Sequence, residues 1–129
     1  MSEKFTVELI SPEKSFLKAD TTEVIIPSYE GEMGILKDHV SFITFLRPGI
    51  IYINSDIKKN FFVEEGIVEF SNNNLLILSS TAKELSSLDK NFLDKLKSDS
   101  EKKIKSEQLT DKEKYLLSYK ISTINNINQ

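Results

Sequence analysis

His39 is the only histidine in this chain of 129 residues, and any side-chain catalysis would have to be built around it. A histidine-based metal cluster has no material. With no cysteine, thiolate ligands and disulfides are excluded as well. Nucleophilic catalysis would need His39 oriented by a carboxylate and facing a serine on a strained turn, and no G-x-S-x-G occurs. Asp38 is adjacent, but neighbouring residues rarely orient each other in that way. Glu64-Glu65 is a carboxylate pair; on a strand the two would point to opposite faces, which argues against joint acid–base work. A phosphate-cradling G-x-x-x-x-G-K-[ST] is also missing. These residues point to a protein that is not an enzyme.

The elements that carry these residues come in two kinds. Up to Ser80 the apolar period is two: Phe5, Val7 and Leu9 alternate with Thr6 and Glu8, and Val24 and Ile26 flank Ile25 after Glu23. Phe61 and Val63 alternate with Phe62 and Glu64 in the same way. Gly31 and Gly34 are expected to bracket a tight turn at positive φ, closed on one side by Pro27. Pro48-Gly49 forms a second turn that launches Ile50, Ile51 and Ile53. Ser71-Asn72-Asn73-Asn74 and Asn54-Ser55-Asp56 are further breaks. Short strands at regular spacing predict an antiparallel β-sandwich or barrel. Several strands are apolar on both faces, so one outer face is expected to be covered by a partner.

Beyond Ser86 the period is helical, with neither Gly nor Pro. Leu88, Phe92 and Leu96 recur at i, i+4 and i+8, which places Phe92 in the core. Thr110-Asp111-Lys112-Glu113 is a capping box that opens a second helix. In that helix Leu117, Ile121 and Ile124 fall on one face. Both apolar stripes are narrow, which predicts an antiparallel helical hairpin separated by the polar stretch 106–109, with a fraying tail after Asn125. The expected division is a β-sandwich over residues 1–85 and a helical hairpin over 86–129. Charge divides at the same place: residues 1–85 hold 8 basic against 13 acidic side chains, and residues 86–129 hold 9 against 7.

The overall net charge of −3 argues against a general nucleic-acid binder. No apolar run approaches the ~20 residues of a membrane span. The first residues show neither a signal peptide nor a transit segment. Arg47 is the only arginine beside 16 lysines. Such a bias is expected of an AT-rich genome and carries no functional weight by itself.

One stretch is more specific. Residues 25–53 read IIPSYEGEMGILKDHVSFITFLRPGIIYI, with Pro27, then Gly31-Glu32-Met33-Gly34-Ile35-Leu36, then His39, then Leu46-Arg47-Pro48-Gly49. This order and spacing, together with the opening FTVELISPE at residues 5–13, closely resembles the epsilon-subunit family of the rotary, proton-translocating ATP synthase. The resemblance is strong through about Ser79 and weak in the C-terminal third. It implies a non-catalytic central-stalk subunit without a cofactor, turning with the gamma subunit and the ring of membrane c subunits. The hairpin would contact the catalytic beta subunits and restrain ATP hydrolysis. The implied location is peripheral, on the cytoplasmic face of a bacterial inner membrane.

Residue by residue, the resemblance puts Glu32, on the loop bracketed by Gly31 and Gly34, against the ring, and His39 at the gamma subunit. Ser11 of the opening segment joins these partner contacts. Read without it, His39 is an ordinary loop histidine bonded to backbone, and Glu32 is a solvated turn residue. Lys102, Lys103, Lys112, Lys114 and Lys120 are either a solvated face or a basic face for an acidic loop of the beta subunits. Some relatives bind ATP through [IL]-D-x-x-R-A. Here Leu88 and Asp89 are kept, while Phe92 and Leu93 replace arginine and alanine, so direct ATP sensing is expected to be weak or absent. The alternative is a free-standing β-sandwich recognition module with a helical oligomerisation arm. A small hydrolase ranks third.

Overall fold

The computed structural model describes residues 3–55, 59–106 and 108–127. Ten strands come first: β1 (Phe5–Ile10), β2 (Ser15–Thr21), β3 (Glu23–Ser28), β4 (Gly31–Ile35), β5 (Phe42–Leu46), β6 (Gly49–Asn54), β7 (Asn60–Val63), β8 (Gly66–Ser71), β9 (Asn74–Leu78) and β10 (Lys83–Glu84). A single 3-10 turn, Leu85–Ser87, leads to helices α1 (Lys90–Ser106) and α2 (Asp111–Ile127). The expected break at Asn54-Ser55-Asp56 and the stretch between the helices lie partly outside the described residues.

The strands form one curled sheet in the order β10-β7-β6-β3-β5-β8-β9-β1-β2, with β4 attached to β3. Every pairing is antiparallel except β1 with β9, which is parallel. Strand alternation sends Phe5, Val7, Leu9, Val24, Ile26, Ile51, Val68, Phe70, Leu75 and Ile77 into one continuous core. Each such side chain contributes about 1.5–3 kcal/mol by leaving water. Phe5 meets Phe70 edge-on at 5.7 Å. The pairing of β3 with β5 is the thin point: one register pair, Ser28 with Leu46. There the sheet folds over into a sandwich of two layers.

Turn chemistry sets the registers. Asn72 and Asn73 adopt φ of 50° and 58°, the two consecutive left-handed residues that a two-residue hairpin between β8 and β9 requires. Gly31 has φ 129°, but Gly34 is an ordinary strand residue of β4 paired with Ile25. The expectation that both glycines sit at positive φ therefore holds for Gly31 only. Glu64 and Glu65 lie between β7 and β8 rather than on a strand. Glu64 reaches the hairpin, while the Glu65 carboxylate accepts from Ser80 at 2.6 Å.

The capping box closes as its residues require: the Thr110 N–H donates to Glu113 at 3.1 Å, and the Glu113 N–H donates to the Thr110 hydroxyl at 3.1 Å. These bonds from Thr110, with Lys103 nearby, hold the Glu113 carboxyl below its usual pKa. Helix α1 differs from the sequence expectation. Asp89 caps it by accepting from the Phe92 N–H at 2.7 Å. That entry angle turns Leu93 inward and leaves Phe92 exposed, with the Lys83 ammonium over its ring. Helix α2 runs on to Ile127, two residues past the expected fraying point.

The two glycines of the β3–β4 turn should respond differently to substitution. Gly31→Ala forces a side chain into a region that is almost exclusively glycine's and should cost about 1–3 kcal/mol. A Cβ at Gly34 would meet only the Glu23 carboxylate at 3.8 Å, so Gly34→Ala should change stability by no more than about 0.5 kcal/mol. Urea denaturation of the two variants checks the contrast.

Candidate functional site

The outer face of β5, β8 and β9 carries the apolar residues that the core does not use. Register aligns Phe45 with Ile67 and Ile67 with Leu78, so three apolar side chains stand side by side across three strands. Phe45 is 55% exposed, Ile67 43% and Leu78 43%, and Ile43, further along β5, is 70% exposed. Leu36 and Val40, in the loop before β5, are exposed as well. At one end the stripe opens into a groove of about 580 Å³ whose walls include Ser11, Pro12, Tyr29, Phe45, Ile67 and Leu78. Contiguous apolar surface of this kind marks an interaction site.

The candidate residues lie around this face at different depths. Ser11 organises the β1–β2 turn: its hydroxyl accepts from the Lys14 N–H at 3.1 Å and its own N–H donates to the Lys14 carbonyl at 2.9 Å. His39 lies in the loop before β5, its Nδ1 2.8 Å from the Val40 carbonyl and its ring edge-on to Phe42 and Phe70. That loop is fastened by Asp38, at φ 65°, whose N–H donates to the Asn73 side chain at 2.7 Å. Glu32 is exposed on β4, opposite Pro27 in register, in the ribbon that β4 forms with β3. Gly31 and Gly34 flank it there. Ser11 thus lines the groove, the His39 ring packs against Phe42 and Phe70 on the core side of β5 and β8, and Glu32 lines a cleft with Arg47, Tyr119 and Thr123.

A second constellation was not visible in the sequence. Helix α2 docks on the sandwich through Tyr115, Tyr119, Lys120 and Thr123. The Tyr115 hydroxyl donates to the Tyr29 carbonyl at 2.7 Å, and the two rings stack at 6.3 Å. Tyr119 lies edge-on to Tyr115 and covers the Arg47 guanidinium, 3.8 Å from its ring centre. Lys120 pairs with Glu64 at 2.6 Å, and the Thr123 hydroxyl reaches the Pro48 carbonyl at 3.5 Å. Arg47 is only 8% exposed, and its side chain makes one hydrogen bond among the described residues, to the Pro48 carbonyl at 3.1 Å. The available signal was the sole arginine of the chain together with two tyrosines four residues apart on a helix.

At the degenerate ATP motif the Asp89 carboxylate is occupied as a helix cap, and Leu88 is half-buried. Lys102, Lys103, Lys112 and Lys114 are exposed along the hairpin, whereas Lys120 is held in its ion pair. Among the described residues no group of three or more His, Cys, Asp and Glu side chains is placed to hold a metal ion. No described helix is long and apolar enough to cross a membrane.

A curled β-sandwich with an open apolar face and a helical hairpin docked beside it is the build of a subunit that works through contact with other chains. The family model for the ATP synthase delta/epsilon chain β-sandwich domain matches residues 4–85. The chain is 49% identical over 130 residues to the ATP synthase epsilon chain of Pelagibacter ubique, covering 99% of this chain and 100% of that one. It is 35% identical over 82 residues to the epsilon chain of Aquifex aeolicus, covering 64% and 62%. The chain belongs to the ATP synthase delta/epsilon family, and by that membership it is a non-catalytic subunit of the central stalk. Solved structures repeat the fold. A chain of the Euglena gracilis mitochondrial ATP synthase (OSCP/F1/c-ring) superposes with TM-score 0.77 at 19% identity, covering 97% of this chain and 79% of that one. A chain of the Tetrahymena thermophila mitochondrial central stalk/c-ring superposes with TM-score 0.65 at 19% identity, covering 98% and 96%.

The docking contact carries its own pH dependence. Burial pushes the Tyr115 hydroxyl above its ordinary pKa, Tyr119 and Tyr29 add to the shift, and the Arg47 guanidinium opposes it. A raised folded-state pKa means that the neutral hydroxyl is the favoured form. Its contribution is complete below the unfolded value of about 10 and is lost as pH rises through the folded value. Ultraviolet absorbance titration should therefore show one tyrosine ionising late, and Tyr115→Phe should remove that late step.

Proposed function

We propose that the chain turns with the gamma subunit and the ring of c subunits, coupling proton-driven rotation to ATP synthesis, while its hairpin restrains ATP hydrolysis at the catalytic beta subunits. The open stripe of Ile43, Phe45, Ile67 and Leu78 carries this reading. Burying such side chains against a partner is worth about 1.5–3 kcal/mol each, and a rotating joint must not slip. We assign the stripe and its groove, with Ser11 in the groove wall, to the gamma subunit, and His39, in the loop before β5, to the same partner. The exposed Glu32 tip, held by Gly31, suits the polar loops of the ring. The hairpin's net positive charge and exposed lysines suit an acidic loop of the beta subunits. Residues 1–85 form the coupling domain and residues 86–129 the regulatory one. The chain would lie peripherally on the cytoplasmic face of a bacterial inner membrane.

Co-purification separates this reading from a free-standing recognition module. Phe45→Asp puts a carboxylate in the centre of the stripe without touching the core. It should leave the chain folded by circular dichroism and reduce recovery with gamma at least tenfold. Undiminished recovery counts against the assignment of the stripe. Deleting residues 86–129 should preserve ATP synthesis by the membrane enzyme and raise its ATP hydrolysis. Loss of synthesis equal to that from removing the whole chain would refute the division of labour.

A further inference from the structure

The docked helix lies across the weakest line of the sheet. Only Ser28 and Leu46 pair where β3 meets β5, so the two layers are joined there by one register pair. Two backbone bonds flank it: the Tyr29 N–H donates to the Phe45 carbonyl at 3.1 Å, and the Arg47 N–H donates to the Pro27 carbonyl at 2.9 Å. Helix α2 grips both sides of this corner. Tyr115 holds Tyr29, which follows β3, and Tyr119 holds Arg47, which follows β5. Thr123 reaches Pro48 between β5 and β6, and Lys120 holds Glu64 where the chain passes from β7 to β8.

We propose that α2 acts as a splint across this corner, pinned by Arg47 beneath Tyr119, and that release of the hairpin loosens the corner. Tyr29, Phe45 and Leu46 are also wall residues of the apolar groove, so the splint ties the position of the hairpin to the shape of the docking face. This device operates in the isolated chain, whatever occupies the groove.

The chemistry of the pin supports the assignment. The chain has 16 lysines and one arginine, and the arginine is here. A planar guanidinium can lie under an aromatic ring while donating within its own plane to the Pro48 carbonyl. A lysine ammonium, a point charge on a flexible stem, cannot do both. Among the described residues the buried Arg47 Nε has no hydrogen-bond partner, a cost of docking that the stack on Tyr119 offsets. Arg47 shares its cleft with Glu32 and with Tyr119, Ser122, Thr123 and Asn126 of α2.

Amide hydrogen exchange on the full-length chain tests the splint. In Arg47→Lys the α2 amides and the two amides that cross the corner, those of Tyr29 and residue 47, should exchange about tenfold faster. Amides pairing β1 with β9 and β6 with β7 should keep their wild-type rates. Lys120→Ala, which leaves the Arg47–Tyr119 stack in place, should give a smaller rise at the same corner amides. Tyrosine emission reports release independently. The chain has no tryptophan and four tyrosines, three of them (Tyr29, Tyr115 and Tyr119) in this cluster. A uniform rise across the sheet would mean general destabilisation and overturn the proposal. So would faster exchange in α2 with unchanged corner amides, or no change anywhere.

Discussion

A Cβ at Gly49 would stand 2.4 Å from the Cβ of Pro27, closer than two carbon atoms can approach. The chain can therefore bring β6 beside the end of β3 only with glycine at that position. Several features depend on this approach. It lets the Arg47 N–H reach the Pro27 carbonyl, aligns Ser28 with Leu46, and sets the corner where the sheet folds into two layers. It also fixes the Arg47 side chain on the outside of the corner, where α2 can cover it. The same few residues position the core, the end of the apolar groove and the seat of the hairpin.

Much of this architecture was legible from residue patterns. Alternation identified the strands because one face of each must be dry, and Asn72-Asn73 marked a hairpin because asparagine tolerates left-handed backbone. The capping box located the start of α2 within a residue because its two bonds are local. Local chemistry could not locate contacts made over long sequence distances. Tyr115 meets Tyr29 across 86 residues, and nothing near either one requires the other. Phe92 misled for a related reason: helical spacing alone put it in line with Leu88 and Leu96, but the Asp89 cap sets the angle at which α1 leaves the sheet and brings Leu93 inward instead. Gly34 looked like half of a turn because it stands close to Gly31, yet only Gly31 adopts a backbone that excludes side chains.

Apolar residues on both faces of several strands were a less specific functional sign than the stretch of residues 25–53, and the structure places the exposed ones on the outer face of β5, β8 and β9. A free-standing protein of this size gains nothing from presenting Ile43, Phe45, Ile67 and Leu78 to water. Family membership makes the chain a central-stalk subunit of an ATP synthase.

The two halves of the chain are held together by different kinds of force, and this determines which can move. The sandwich is closed by a large apolar core whose members are nearly all inaccessible. Among the described residues the hairpin is closed onto it by the Arg47–Tyr119 stack, by Lys83 over Phe92 and Lys112 over Tyr29, by the Tyr115 and Thr123 hydrogen bonds and by a half-buried ion pair. A desolvated cation–π stack is worth about 2 kcal/mol, a hydrogen bond about 1 and such an ion pair about 0–1. Few residues of α2 are fully buried, chiefly Thr123 and Ile124. An interface with little apolar burial opens at far lower free energy than global unfolding. Under the proposed splint, the hairpin would leave at lower cost than the sandwich unfolds, and the corner is the part of the sheet where its departure would be felt.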